Sequence, residues 1–213
     1  MPDYDFVLWN YNKFPRGESQ WVDQAFDAGK YAFCADYIRL YALYNYGGIY
    51  LDLDVEVIKP FDDLLHSDVI LGYETVDNTR LECGVMGAEV NAPWLKACLD
   101  YYGKRRFRVG DNHFDTTPMP FTVTEILMRC YPSVLCKVKT WEFFTAKSLT
   151  TREVIATSNT YCIHHFAGSW NPRGRRLYKR FKEILPVPVR QFLSSAKRRL
   201  LGRKSNRDFC NGE

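Results

Sequence analysis

The stretch from residue 33 to residue 54 constrains this chain more than any other. Residues 33–46 are apolar or aromatic on most sides, which predicts a helix covered over much of its surface. The run stops at Gly47-Gly48, a natural helix C-terminus. Ile49-Tyr50-Leu51 then reads as a short buried strand that ends on Asp52-Leu53-Asp54. Residues i and i+2 of an extended segment point to the same side, so the two aspartates lie side by side. Two such carboxylates repel each other unless a cation sits between them. Mg²⁺ or Mn²⁺, which take oxygen ligands at about 2.1 Å, suit the pair. The end of an apolar strand is also where open α/β sheets bind ligands. An Asp-x-Asp pair by itself is common and fits an ordinary surface turn better than a metal site, so its context decides.

Asp36 and Arg39 supply part of that context. At i and i+3 on the preceding helix they share a face. Either they form an intrahelical ion pair, or Asp36 accepts hydrogen bonds from sugar hydroxyls while Arg39 holds the acid and the donor.

The rest of the chain alternates short strands and helices. Strands are expected at residues 6–9, 69–73, 84–87, 134–138 and 160–163. Helices are expected at 19–29 with Ser19 as N-cap, at 92–102 with Pro93 in the first turn, and at 121–130. Two more, 174–184 and 188–203, are split by Pro186 and Pro188. Such alternation implies an α/β sandwich. With 213 residues, 46% of them hydrophobic, the chain can bury one sizeable core.

Seven scattered cysteines without a CxxC pair argue against a zinc site and fit the reduced state of a cytosolic protein. The first residues lack the basic and apolar regions of a signal peptide. No run approaches the roughly 20 apolar residues of a membrane span. Charge is uneven. Residues 173–207 hold 13 of the 29 Lys and Arg but one of the 25 acids, Glu183. An acidic body thus carries a basic tail. The 188–203 helix gathers Val189, Phe192, Leu193, Ala196, Leu200 and Leu201 on one side, as interfacial helices do, so an anionic membrane surface is an expected partner. Nucleic acid is not expected, since its binding needs a broad basic face. The expected division is 1–185 as the catalytic part and 186–213 as a basic amphipathic helix and tail.

Asp36-Tyr37-Ile38-Arg39, Tyr44, Gly47-Gly48-Ile49-Tyr50 and Asp52-Leu53-Asp54 together resemble the DXD-containing sugar-binding region of glycosyltransferase family 32. His164-His165-Phe166-Ala167-Gly168-Ser169-Trp170 is similar to that family's closing His-…-Ser-Trp segment. The resemblance implies a GT-A-type nucleotide-sugar-binding sandwich with a mainly parallel sheet. It implies Asp36, Arg39 and Tyr50 at the donor sugar, Asp52 at the ribose or the metal-bound diphosphate, and Asp54 as the main metal ligand. His164 or His165 would complete the metal shell, and Ser169 and Trp170 would close over the diphosphate. The implied activity is hexose transfer from a UDP- or GDP-hexose, with Mn²⁺ or Mg²⁺, to a saccharide acceptor, lipid-linked or in capsular polysaccharide, with retention at the anomeric carbon. The place would be the cytoplasm or the inner face of the membrane.

Three departures stand out. The family's opening strand and His-x-x-Trp loop do not precede Phe6, which reads as an N-terminal truncation. Relatives often place an Asn near Leu81-Glu82-Cys83-Gly84, where Glu82 stands in. Asp115-Thr116-Thr117-Pro118 resembles a Thr-Gly-Pro segment and is expected to form a loop over the acceptor side. Two other classes compete. A haloacid-dehalogenase-type phosphatase also uses Asp-x-Asp, but needs Thr or Val where Glu56 stands and a distant Asp pair, for which only Asp62-Asp63 is on offer. A non-catalytic sugar-nucleotide-binding relative would hold a donor without turning it over.

Overall fold

The computed structural model describes residues 4–10, 12–168, 177 and 184–191. In chain order come α1 (Gln20–Asp27), α2 (Tyr31–Tyr46), β1 (Gly48–Leu51), β2 (Val55–Val57), a 3₁₀ turn (Asp62–Leu64), β3 (Val69–Ile70) and β4 (Val85–Ala88). Then follow α3 (Pro93–Gly103), β5 (Arg108–Gly110), β6 (His113–Phe114), α4 (Met119–Cys130), α5 (Pro132–Leu135) and β7 (Cys162–His164).

Local chemistry explains most boundaries. The Ser19 hydroxyl oxygen accepts from the Val22 N–H at 3.4 Å and opens α1, which buries Trp21, Val22 and Ala25. Helix α2 buries residues on several sides, including Phe33, Arg39, Leu40 and Leu43. It ends at Gly47 with φ 67°, a left-handed conformation that a side chain resists. A Cβ there would also press on Val90 Cγ2 at 3.1 Å.

A three-stranded sheet in the order β1-β4-β3 lies under the helices. Its central strand β4 is buried along its length and uses both faces. Met86 and Ala88 join the helix-side core with Leu40, Leu43, Trp94 and Leu95. Val85 points the other way, into a second core with Phe61, Ile70, Phe144, Tyr161 and Cys162. That alternation is the two-residue period of a strand expressed as two packed layers. Gly87 lets β3 approach closely, since a Cβ on it would lie 2.8 Å from Ile70 Cβ. Below the sheet, β2 pairs with β7, with Val55 opposite His164 and Val57 opposite Cys162. No helix among the described residues is long and apolar enough to cross a membrane.

The mixed α/β class is present, but among the described residues no mainly parallel sheet forms. Every described ladder is antiparallel: β1 with β4, β3 with β4, β2 with β7, and β5 with β6. The reason lies in the connections. Between β3 and β4 there is a loop and no crossover helix, and without a crossover, adjacent strands must run in opposite directions. Among the described residues there is one parallel contact, an isolated bridge between Gly72 and Lys139.

Two expected strands are also absent. Residues 6–9 pair with nothing, and Phe6, Val7 and Leu8 are exposed. Side chains fix the segment instead. The Tyr4 hydroxyl donates to Asp62 at 3.1 Å, and Trp9 meets Tyr41 and Tyr46 edge-on. At residues 134–138 the predicted strand gives way to α5, because Pro132 sits at a helix's first position and starts a turn there. The predicted helices 174–184 and 188–203 lie largely outside the described residues. Of the second, residues 188–191 are described and helical. Arg190 ties this turn to the body by donating to the Thr151 carbonyl at 2.6 Å.

Candidate active site

The site forms where β1 ends. The Asp52 N–H donates to the Gly84 carbonyl at 2.7 Å, extending the pairing with the start of β4. The chain then turns, with the Val55 N–H reaching back to the Asp52 carbonyl at 3.1 Å. Leu53 stands fully out in solvent, while Asp52 and Asp54 are each half-buried. Residues following β7 hold Asp54. The His165 N–H donates to its carbonyl at 2.9 Å, and the Ala167 N–H donates to its Oδ2 at 2.7 Å.

Arg39 reaches the site from α2 and is buried. Its Nη2 lies 3.2 Å from Asp52 Oδ1 and 3.5 Å from Asp36 Oδ1. Its Nη1 donates to the Cys83 carbonyl, and its guanidinium sits 4.5 Å over the Tyr50 ring. The Tyr50 hydroxyl donates to Asp52 Oδ1 at 2.7 Å. One guanidinium therefore binds two carboxylates, a backbone carbonyl and an aromatic face, a geometry an ammonium could not reproduce. Burial pushes the Asp36 carboxyl up to about 6, although Arg39 pulls it down.

His164 lies between two acids. Its Nε2 is 3.4 Å from Asp54 Oδ1, and its Nδ1 is 3.0 Å from Glu82 Oε1. Burial alone would lower its pKa, but Glu82 and then Asp54 raise it to about 10. In return, the hydrogen bond with His164 holds Asp54 well below the usual carboxylate range, against its partial burial.

One ligand atom each from Asp52, Asp54 and His164 lie within 4.8 Å of one another. Two carboxylate oxygens and an imidazole nitrogen form a donor set that suits a divalent cation. The charges agree. Asp36, Asp52, Asp54 and Glu82 can carry four negative charges against two positive ones on Arg39 and His164. The residues thus fit a resident divalent ion.

The structure brings together Asp36, Arg39, Tyr50, Asp52, Asp54 and His164. It does not bring in His165, whose Nε2 turns outward to Glu56 at 2.8 Å. Neighbouring residues near a strand end face opposite ways, so one of the two histidines had to point out. Ser169 and Trp170 lie outside the described residues. Asp115 pairs with Arg105 and accepts from the Thr117 N–H at 3.1 Å, which makes it a turn residue. Asp62 and Asp63 accept from the hydroxyls of Tyr4 and Tyr161, so the acid pair that a phosphatase would need is engaged elsewhere. Sequence reasoning missed Glu82 as the partner of His164. The available signal was a charged residue inside the otherwise apolar stretch 81–86.

Residues 1–71 match the family described as glycosyltransferase sugar-binding region containing DXD motif. Over that stretch the chain is similar to the sugar-binding region of the DXD glycosyltransferases. Inositol phosphoceramide mannosyltransferase 3 of Schizosaccharomyces pombe is 42% identical over 69 residues, 30% of this chain and 19% of that protein. Glucan organizing enzyme 1 of Cryptococcus neoformans is 50% identical over 50 residues, 24% of this chain and 14% of that protein. Mannosyl phosphorylinositol ceramide synthase SUR1 of Saccharomyces cerevisiae is 38% identical over 113 residues, 50% of this chain and 29% of that protein. The matched stretches therefore span less than a third of these relatives' lengths. No solved structure matches the chain.

Proposed function

We propose that the chain is the catalytic core of a metal-dependent hexosyltransferase that moves a sugar from a UDP- or GDP-hexose to a hydroxyl of a saccharide or glycolipid. The observation that carries this reading is the convergence of Asp52, Asp54 and His164 beside the Arg39–Asp36 pair. The names of the relatives favour mannose as the sugar and an inositol phosphoceramide-type acceptor.

Asp52, Asp54 and His164 would hold Mn²⁺ or Mg²⁺. When bound, that ion acts as a Lewis acid that stabilises the charge developing on the departing diphosphate. The chain's own residues have separate tasks. Arg39 keeps Asp52 fixed, so the strand end is preorganised before a donor arrives. Asp36, tied to the same guanidinium, offers an acceptor oxygen to a sugar hydroxyl. Tyr50 closes one side, and its hydroxyl donates to the same Asp52 oxygen, Oδ1, that Arg39 meets. Each of these carboxylates already has a partner, and none stands free as a nucleophile, so the reading is front-face transfer with retention. An inverted product would refute that step. The basic segment beyond residue 186 would bring the site to an anionic lipid surface at the cytoplasmic face. Deleting residues 188–213 should then abolish binding to phosphatidylserine vesicles.

The test is donor hydrolysis across UDP- and GDP-hexoses, GDP-mannose included, with Mn²⁺, for the wild type and Asp54→Ala. Turnover of one donor, lost in Asp54→Ala and with EDTA, supports the reading. Donor binding without turnover would instead identify a sugar-nucleotide-binding module.

A further inference from the structure

Glu82 is buried to 2% exposure, and its carboxylate is fully engaged. Oε1 accepts from the Gly84 N–H at 2.6 Å and meets His164 Nδ1 at 3.0 Å. Oε2 accepts from the Thr145 hydroxyl at 3.2 Å. The Glu82 backbone is anchored as well, its N–H donating to the Gly72 carbonyl at 2.8 Å. Both oxygens are thus turned toward protein partners. A buried carboxylate costs several kcal/mol unless it is paired, so this placement needs a partner of opposite charge or a donor, and His164 is one.

The surroundings fit that pairing. A Cβ on Gly84 would lie 2.8 Å from both Glu82 Oε1 and His164 Cε1, so a larger residue at 84 would separate the two. Phe166 stacks on the imidazole with ring centres 4.1 Å apart. The ring thus meets Glu82 at Nδ1, Phe166 on one face and Asp54 at Nε2. An acceptor at Nδ1 keeps a proton on that nitrogen, so a cation that displaces the Nε2 proton now facing Asp54 would meet the Nε2 lone pair.

We propose that Glu82 is a positioning residue, which fixes the tautomer and orientation of His164 so that Nε2 is presented as the third ligand beside Asp52 and Asp54. The proposal rests on the metal-site reading above and adds to it a residue that acts through another. Glutamate achieves more here than a neutral acceptor would. An anionic acceptor makes the imidazole a stronger donor to a metal.

The experiment is Mn²⁺ binding alone, followed by electron paramagnetic resonance of the free ion, on the full chain and on Glu82→Gln, His164→Ala and the double variant. Glutamine is the apt replacement. Its amide oxygen can keep the Gly84 and His164 contacts while its NH₂ donates to the Thr145 hydroxyl, which then donates to the Tyr73 carbonyl 3.2 Å away. Glu82→Gln should weaken Mn²⁺ binding about 10- to 100-fold. In the His164→Ala background the same change should alter affinity less than about threefold, because the two residues form one coupled unit. A merely structural role for Glu82 would give the full loss in both backgrounds and would overturn the proposal. An unchanged affinity in Glu82→Gln would overturn it too. Absence of Mn²⁺ binding in the wild type would refute the metal reading itself, and this inference with it. If Glu82→Gln does not fold, Thr145→Val removes the donor to Oε2 and should also weaken binding. Unchanged affinity there would then overturn the proposal.

Discussion

Replacing Arg39 with Met removes one buried charge at nearly constant side-chain length, and its cost can be worked from the site. Three groups lose the guanidinium: Asp52 at 3.2 Å, which keeps the Tyr50 hydroxyl, Asp36 at 3.5 Å and the buried Cys83 carbonyl. Breaking a buried ion pair from one side costs about 3–5 kcal/mol, because the remaining charge stays buried without compensation. Asp36 is the more deeply buried acid, its side chain 14% exposed against 27% for Asp52, so it carries most of that penalty. For a chain of this size 1 kcal/mol corresponds to about 2–4 °C, which places the expected fall in Tm at about 6–20 °C. The assay is thermal unfolding by circular dichroism at pH 7 with EDTA present. A second arm uses pH. Burial already raises Asp36 to about 6, with Arg39 opposing it, so removing Arg39 raises it further. A carboxyl whose folded pKa exceeds its unfolded value binds more protons when folded, so stability rises as pH falls through the folded pKa. The variant's deficit should therefore shrink between pH 7 and pH 5. A loss below about 1 kcal/mol at pH 7, within the range of an exposed pair, would refute the assignment of Arg39 as the buried counter-ion of the site. A deficit independent of pH would refute the role of Asp36.

Other outcomes follow from the same geometry. Gly87→Ala drives a methyl to 2.8 Å from Ile70 Cβ and should cost about 1–3 kcal/mol in urea unfolding, as overpacked cores do. Ser19→Ala removes the N-cap acceptor of α1 and should cost about 1 kcal/mol or less, given the 3.4 Å contact, by the same measurement. His164 is raised to about 10, so its stabilisation is complete below its ordinary pKa and is lost as pH rises through 10. Metal-free wild type should lose more stability between pH 7 and 9.5 than His164→Gln, as read by the two unfolding midpoints.

Much of the site was legible before the fold was known, and the particular residues show why. The α2–Gly47–β1 unit is local. An apolar helix, a glycine at φ 67° and a strand ending on Asp52 and Asp54 follow from short-range sterics and from burial periodicity. Asp36 and Arg39 share a helix face for the same reason. The other half of the site is remote in sequence. Glu82 and His164 meet across 82 residues, and nothing local says that they will. A pair of adjacent histidines left two candidates open. The pairing of β7 with β2 sets Val55 opposite His164, which faces Asp54, and sends His165 out to Glu56.

Strand direction was misjudged on the same grounds. An apolar run shows that a strand is buried but carries no sign of its neighbour's direction. The sequence by itself determined α1 to α4 and β1, the face each residue takes along them, and the acid pair at the end of β1. Only the tertiary structure decided that the strands run antiparallel, that Arg39 serves both Asp36 and Asp52, and that Glu82 stands behind His164. These depend on which distant segments the connecting loops bring together, and backbone periodicity has a range of only a few residues.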